Sequence, residues 1–314
     1  MPRWWGFFLV ITGATLWGLG GTVSQYVFQE FSIPVNWLVS LRLTVAGLLL
    51  LLVQAVWKDR RELVRVWTTK QTAIPLVLFG IFGMLAVQYT YMASISYGNA
   101  AVATLLQYTA PVMIIGWLLL RRQSRLTVRD AAAVMLALGG TFLLLTNGSV
   151  QALSVPVPAV IWGLLSGAAL AFYTLYAVPL LKQFSALVIV SWAMVIGGTL
   201  LSFLHAPWDI PAASLPLSAW AALTFIVIFG TMIAFWFYIE SLQTLQAKET
   251  SLLGSLEPLS AVAATVWWLQ EPFGTYQWVG TLFIFSMIFL VAVKEEKAVP
   301  APAAKAKKRT HTAS

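Results

Sequence analysis

The lysines and arginines of this chain stand in blocks, and the blocks recur at the ends of long apolar runs. Lys58, Arg60, Arg61, Arg65 and Lys70 form one block, and Arg121, Arg122, Arg125 and Arg129 form another. Arg3, Lys182, Lys248 and the stretch from Lys294 to Arg309 hold all the rest except Arg42. When the apolar runs are threaded through a bilayer in turn, every block falls on the same side. The loops left on the opposite side carry neither Lys nor Arg. This is the positive-inside pattern, and it sets both the number of crossings and their direction. Hydrocarbon offers the backbone no hydrogen-bonding partner, so each such crossing must close its own bonds as a helix.

A crossing helix needs about 20 predominantly apolar residues. Such runs cover 4–28, 35–57, 72–93, 99–120, 128–146, 159–181, 185–204, 218–240, 249–269 and 276–293. Breakers separate them, among them Ser32-Ile33-Pro34, Gly98-Asn99, Asn147-Gly148-Ser149, Pro207 to Pro216 and Glu271-Pro272-Phe273-Gly274. The reading is an all-α polytopic membrane protein of ten transmembrane helices with both termini cytoplasmic. Composition agrees: 10% of residues are charged, against roughly 25% in a soluble domain. The net charge of +8 does not point to nucleic acid, because the basic residues flank apolar segments instead of gathering on a polar domain. The run from Trp4 to Phe28 is too long for a signal-peptide core and is expected to be kept as the first span.

The absence of cysteine excludes disulfides, thiol catalysis and Cys-ligated metal. His205 falls in a loop and His311 in the tail, so a multi-His metal site is not expected, and no cofactor is. The tail, 294–314, carries Pro300, Pro302 and Lys305 to Arg309. It reads as a basic, disordered cytoplasmic flank with weak attraction to anionic lipid.

The chain also repeats itself. A shift of 147 residues aligns its middle with its end without a gap. Ile81-Phe82-Gly83 meets Ile228-Phe229-Gly230, Tyr91 meets Tyr238, and Leu105-Leu106 meets Leu252-Leu253. Pro111 meets Pro258, Gln123 meets Gln270, and Phe142-Leu143 meets Phe289-Leu290. Spans three to five therefore match spans eight to ten, which divides the chain into five-helix repeats at 1–149 and 150–293. Five is odd, so the two repeats must lie in the membrane with opposite orientation. Inverted repeats are how many carriers build inward-open and outward-open states from one architecture.

In this order and at this spacing, several residues carry a family resemblance. They are Trp17-Gly18 in the first span, Arg42 in the second, Leu256-Glu257-Pro258 in the ninth, and Glu271 followed by Gln277 and Gly280. From about Trp5 to Val293 the chain resembles the EamA-type carriers of the drug/metabolite transporter superfamily. The resemblance implies that spans one, three, four, six, eight and nine line a central cavity while five and ten brace it. One departure stands out: Ser124 occupies the position that aligned Glu271 would fill with a carboxylate.

Glu257 is the sharpest candidate for function. It lies eight residues into the ninth run, near the bilayer midplane, where an ionised carboxylate costs on the order of 3 kcal/mol. Such a group holds its proton, exchanges it, or pairs with a cation; the alternative role is a structural carboxylate capping broken backbone. Pro258 removes one helical hydrogen bond and should free a carbonyl near Gly254. Arg42 is the only basic residue within a run. Three readings remain open for it: snorkelling to the interface, pairing with Glu257 or an anionic cargo, or a structural role in a peripheral span.

The expected cavity lining is Trp17, Gln88, Tyr91, Thr104, Gln107, Tyr108, Tyr173, Tyr176, Trp236, Tyr238, Ser251 and Ser255, polar and aromatic groups that must turn from lipid. Structural or gating roles are expected for Arg42, Pro111, Gly254, Pro258 and Glu271. Trp4, Trp5, Trp37, Trp57, Trp117, Trp220, Trp267 and Trp268 lie near span ends and read as interfacial anchors.

The expectation is a secondary transporter in the bacterial inner membrane, with cargo and bilayer as its partners. It would move a small metabolite, by analogy an amino acid, an amine or a related compound. Export is the expected direction, by alternating access, with proton coupling available through Glu257. A channel or a non-transporting scaffold are the alternatives, and a functional monomer is the default, with a dimer open. A membrane-embedded enzyme lacks an acid–base partner for Glu257, and no phosphate-binding loop suggests an ATP-driven pump.

Overall fold

The computed structural model describes residues 2–123, 125–149, 153–209 and 215–294. Ser124, the tail beyond Lys294 with His311, and the side chains of Lys248 and Ser251 lie outside the described residues. All the described secondary structure is helical. In chain order the helices are α1 (Arg3–Phe31), α2 (Val35–Trp57), the short α3 (Arg61–Arg65), α4 (Lys70–Tyr97) and α5 (Ala100–Leu120). They continue with α6 (Val128–Thr146), α7 (Val157–Leu181), α8 (Ala186–Ser202) and α9 (Leu217–Ser241). The last are α10 (Ala247–Gly254), α11 (Leu256–Trp267) and α12 (Thr275–Lys294). Seven of these, α1, α2, α4, α5, α6, α7 and α9, are long and apolar enough to cross a membrane. Three shorter apolar helical stretches, Ala186–Ser202, Leu252–Trp267 and Thr275–Val291, accompany them. The short amphipathic turn α3 sits within the first basic block.

Local chemistry sets the ends. Ser32 and Asn147 close α1 and α6 in the left-handed conformation, a common helix stop. The Asn99 side chain accepts from the Val102 N–H at 2.9 Å to open α5. Thr127 and Asp130 form a reciprocal capping box at α6, which satisfies two otherwise orphaned groups.

The 147-residue offset recurs in the irregularities. The two Ile-Phe-Gly copies both lie in π-helical stretches, Phe79–Leu85 within α4 and Phe225–Ile233 within α9. α5 is interrupted at Tyr108-Thr109, and α10 gives way to α11 at Ser255. Each break lies within three residues before a proline, Pro111 or Pro258. A proline cannot donate to the carbonyl four residues earlier, and its ring crowds that carbonyl.

Packing follows the same offset. α1 packs on α9 and α11, while α7 packs on α4 and α5. α2 runs antiparallel to α8: Ser40 meets Ser202 at 2.9 Å, Thr44 lies against Gly198, and Gly47 lies against Met194. α6 and α12 are antiparallel too, with Gly140 against Gly280 and the Leu144 carbonyl accepting from Gln277 Nε2 at 3.2 Å. Small residues allow these approaches. A Cβ on Gly20 would stand 2.9 Å from the Gly230 Cα, closer than side-chain carbons come. At Gly18 a Cβ would collide with Ser260 Oγ and the Glu257 carbonyl.

The tryptophans divide. Trp4, Trp57, Trp117, Trp267 and Trp268 are exposed at helix ends, consistent with interfacial anchoring. Trp37 is not an interfacial residue: it is buried and donates Nε1–H to the Pro207 carbonyl at 3.0 Å. The hairpin that brings α8's trailing loop over α2 supplies that acceptor.

Gly230→Val should cost about 1–3 kcal/mol by overpacking and lower the thermal midpoint of the detergent-purified protein. Gly116→Ala, where a Cβ meets nothing within 4 Å among the described residues, should leave the midpoint unchanged. Equal midpoints for the two variants would contradict the α1–α9 approach.

Candidate functional site

Glu257 opens the first turn of α11, directly after the break at Ser255. Pro258 leaves the Gly254 carbonyl without a helical donor, and the Tyr108 hydroxyl stands 3.0 Å from that oxygen. The same hydroxyl stands 2.9 Å from Glu257 Oε2. Tyr108 reaches both acceptors because its own helix is interrupted at that residue (φ −71°, ψ 2°). Two broken helices therefore face each other, and one phenol serves both. A hydroxyl has a single proton. With Glu257 ionised, Tyr108 gives it to the carboxylate. With Glu257 protonated, the carboxyl can donate to the phenol oxygen and the phenol to the Gly254 carbonyl.

Around this bridge the structure gathers several of the expected residues. The Tyr91 hydroxyl meets Thr104 Oγ1 at 2.7 Å, and Thr104 passes its proton to the Ala100 carbonyl at 2.7 Å. The Trp17 ring packs edge-on to Phe235 and tilted against Tyr238, with centroids 4.7 and 4.9 Å apart. Tyr238 in turn covers Gly254. Ser260 donates to the Glu257 carbonyl at 2.9 Å, and Gly18 leaves the room for that contact.

Arg42 enters from α2. Its side chain is 4% exposed, so it does not snorkel to an interface. Nε donates to Thr231 Oγ1 at 3.2 Å, and Thr231 donates its proton to the Ile226 carbonyl at 2.7 Å within the π-helical stretch of α9. Nη1 is buried and meets no acceptor among the described residues. Arg42 lies within electrostatic reach of Glu257 and Tyr91, but no ion pair joins Arg42 to Glu257 among the described residues.

Other expected lining residues make further contacts. Gln107 donates to Ser166 Oγ on α7 at 2.7 Å. Tyr173 packs on Phe79 and Tyr176 stacks on Phe172, with ring centroids 4.7 and 4.9 Å apart. Trp236 tilts against Trp57 at 5.1 Å, its Nε1 buried without an acceptor among the described residues. Gln88 is buried. Ser255 donates to the Leu252 carbonyl at 2.6 Å and thus closes α10. The Ser251 side chain lies outside the described residues.

The two ends of the bundle carry polar clasps. At one, Gln25 and Gln29 donate to Glu271 Oε1 at 2.7 and 3.1 Å, and Gln25 Oε1 accepts from the Ala100 N–H at 2.8 Å. This joins the end of α1 to the start of α5 and the segment after α11. At the other, Lys58 Nζ stands 2.9 Å from Glu240 Oε1, and Arg3 pairs with Glu249. Thr231 and Ser166 carried no signal in the sequence. The only hint for Glu240 is an acid at the very end of an apolar run.

Fold and site together define a polytopic helical membrane protein with charged groups held inside it. The EamA-like transporter family pattern matches residues 4–146 and again 157–293. The chain belongs to that family and is a multi-pass integral membrane transporter, not an enzyme. It is similar to the uncharacterized inner membrane transporter YicL of Salmonella typhimurium, 32% identical over 93% of this chain and 96% of the relative. It is also similar to the uncharacterized transporter YwfM of Bacillus subtilis, 26% identical over 94% of this chain and 96% of that protein. One crystal structure shares the fold with a TM-score of 0.62 at 17% identity, covering 93% of this chain and 98% of that one.

Tyr108→Phe removes the shared donor and should destabilise the protein by about 1–2 kcal/mol, seen as a lower thermal midpoint in detergent. Tyr276→Phe, at an exposed position, should not. An unchanged midpoint for Tyr108→Phe would argue against the bridge.

Proposed function

We propose that the protein is a secondary carrier that moves a small metabolite by alternating access around Glu257. The observation that carries this reading is the Tyr108–Glu257–Gly254 bridge between two facing helix breaks. Carriers bind cargo and coupling ions where discontinuous helices meet near the midplane, and an intramembrane carboxylate is by default a functional group.

The reading includes ten spans, with α8, α10–α11 and α12 completing the seven longer ones, and both termini cytoplasmic. It divides the chain into inverted repeats at 1–149 and 150–293, with a basic tail at 294–314. The twofold family match supports the division, and the antiparallel packing of α2 with α8 and α6 with α12 supports the inversion. The cargo in this proposal is an amino acid, an amine or a related compound, and the direction is export. Proton exchange at Glu257 supplies the coupling, and no cofactor takes part. A monomer suffices, because both halves lie in one chain. The bacterial inner membrane is the proposed location, in keeping with the name of the Salmonella relative.

Counterflow in proteoliposomes tests the carrier. Vesicles loaded with pooled amino acids, amines and small carboxylates should accumulate labelled members of the pool, and Glu257→Gln should cut that accumulation at least about tenfold. Leak without exchange acceleration would indicate a channel, and no accumulation by folded wild type would defeat the carrier.

Since the chain has no cysteine, single cysteines report topology cleanly. Gln123→Cys should be shielded from an impermeant maleimide in intact cells, and Ser154→Cys should be labelled. The reverse result would overturn the orientation.

A further inference from the structure

We propose that a groove on the outer surface of α5, α6 and α7 binds one acyl chain of a bilayer phospholipid, from the leaflet opposite the Arg121–Arg129 block. The inference needs only that the protein spans a membrane and does not depend on the carrier reading.

The groove has a volume of about 450 Å³. Thr109 of α5, Leu164 of α7, Leu153 ahead of α7, and α6 from Ala137 to Thr146 line it. It exists because of how α6 is used. Gly140 and Leu144 face α12. Leu138, Thr141, Phe142 and Leu145 repeat at helical spacing on a different face and are turned away from that partner. Leu138 and Phe142 are exposed there. On the far wall α7 closes on α5 at Gly167, where a Cβ would stand 3.0 Å from Thr109 Oγ1. The groove therefore ends against the interrupted turn of α5, next to Tyr108.

An empty gap of this size forfeits dispersion contacts all along its walls. Water does not suit it, because an ordered water needs about two to four polar partners. The polar side chains on the wall are three threonines. Thr109 donates to the Leu106 carbonyl at 2.6 Å and Thr146 to the Phe142 carbonyl at 2.8 Å, which leaves Thr141. A helix of a second copy is about 10–12 Å across with its side chains, too thick to lie within the groove. A hydrocarbon chain is thin enough, and it matches the apolar walls. The length fits as well. Ala137 to Thr146 cover about 14 Å of helix, close to half of a hydrocarbon core of about 30 Å. α6 starts at the Arg121–Arg129 block and runs away from it, so this stretch lies in the far leaflet. Neither Lys nor Arg stands between Arg129 and Lys182. Recognition is therefore of the chain and not of an anionic headgroup. A chain seated here packs against the broken turn that presents Tyr108 to Glu257.

Photolabelling of the full-length protein tests the site. Phosphatidylcholine vesicles would carry a trace of phosphatidylethanolamine with a diazirine midway along one acyl chain. A second arm would use phosphatidylglycerol with the same chain, and labelled residues would be mapped by mass spectrometry. The reference is Leu282 of α12, which is 63% exposed against 62% for Leu138 and, with Gly140 against Gly280, lies at a similar depth. The Leu138–Leu145 stripe should be labelled at least about fivefold more than Leu282, in both arms. Thr141→Trp should fill the groove and remove that excess while leaving Leu282 labelled as before. Equal labelling of stripe and reference would overturn the site. Weaker labelling of the stripe, the result expected if a second copy covered it, would overturn it too. An excess confined to phosphatidylglycerol would overturn recognition of the chain. Should Thr141→Trp fail to fold, Leu164→Trp fills the groove from the opposite wall, and an excess that survived it would overturn the groove as the cause.

Discussion

The rest of the interior depends on how the membrane tolerates a carboxylate next to a broken helix. Neither is acceptable alone: the freed Gly254 carbonyl and the Glu257 side chain both need donors, and hydrocarbon supplies none. Here one phenol from another helix lies within hydrogen-bond distance of both and gives its single proton to one of them at a time. Tyr108 itself stands at the interruption of α5, so the two breaks that precede Pro111 and Pro258 across the 147-residue offset meet at this bridge.

Close packing holds the breaks together. α1 lies against the outer side of the Glu257 turn, and only a glycine at position 18 leaves room for the Glu257 carbonyl and Ser260. Two residues on, Gly20 brings α1 against Gly230 in the π-helical stretch of α9. That stretch has its own consequence. Its altered hydrogen bonding leaves the Ile226 carbonyl to Thr231, and Thr231 becomes the fixed acceptor that orients Arg42. A single chain of contacts thus runs from an irregular turn in one helix to the placement of a charge from another. π-helical insertions often mark functional positions.

Much of this was legible in the residues. The helix bounds follow the apolar runs to within a few positions, because hydrophobic length and charge blocks are properties of contiguous sequence. The release of the Gly254 carbonyl was readable from Pro258 alone, since proline chemistry acts four residues away in the same helix. Contacts between distant residues were not readable. Gln25 with Glu271, Lys58 with Glu240, and Arg42 with Thr231 lie 246, 182 and 189 residues apart, and their geometry depends on how helices rotate and cross. The partners of the expected lining residues were hidden for the same reason. Gln107 is polar and intramembrane, but it satisfies itself against Ser166. Polarity demands a partner, and helix packing decides which one.

The two end clasps bear on how such a molecule could change state under the carrier proposal. One end is held by amide donors on a carboxylate and the other by ion pairs at helix ends. Contacts of this kind are weak individually: partly exposed ion pairs are screened and costly to order. A single rigid apolar seal would be a poor choice, because a carrier's alternative states must lie within a few kcal/mol of each other. Weak polar clasps at both ends meet that condition, while the stronger packing of α2 on α8 and α6 on α12 keeps the flanking pairs intact. In this arrangement α5 and α11, which share Tyr108 and Glu257, shift against α2 and its Arg42, and a ligand binding among those groups acts on the element that must move.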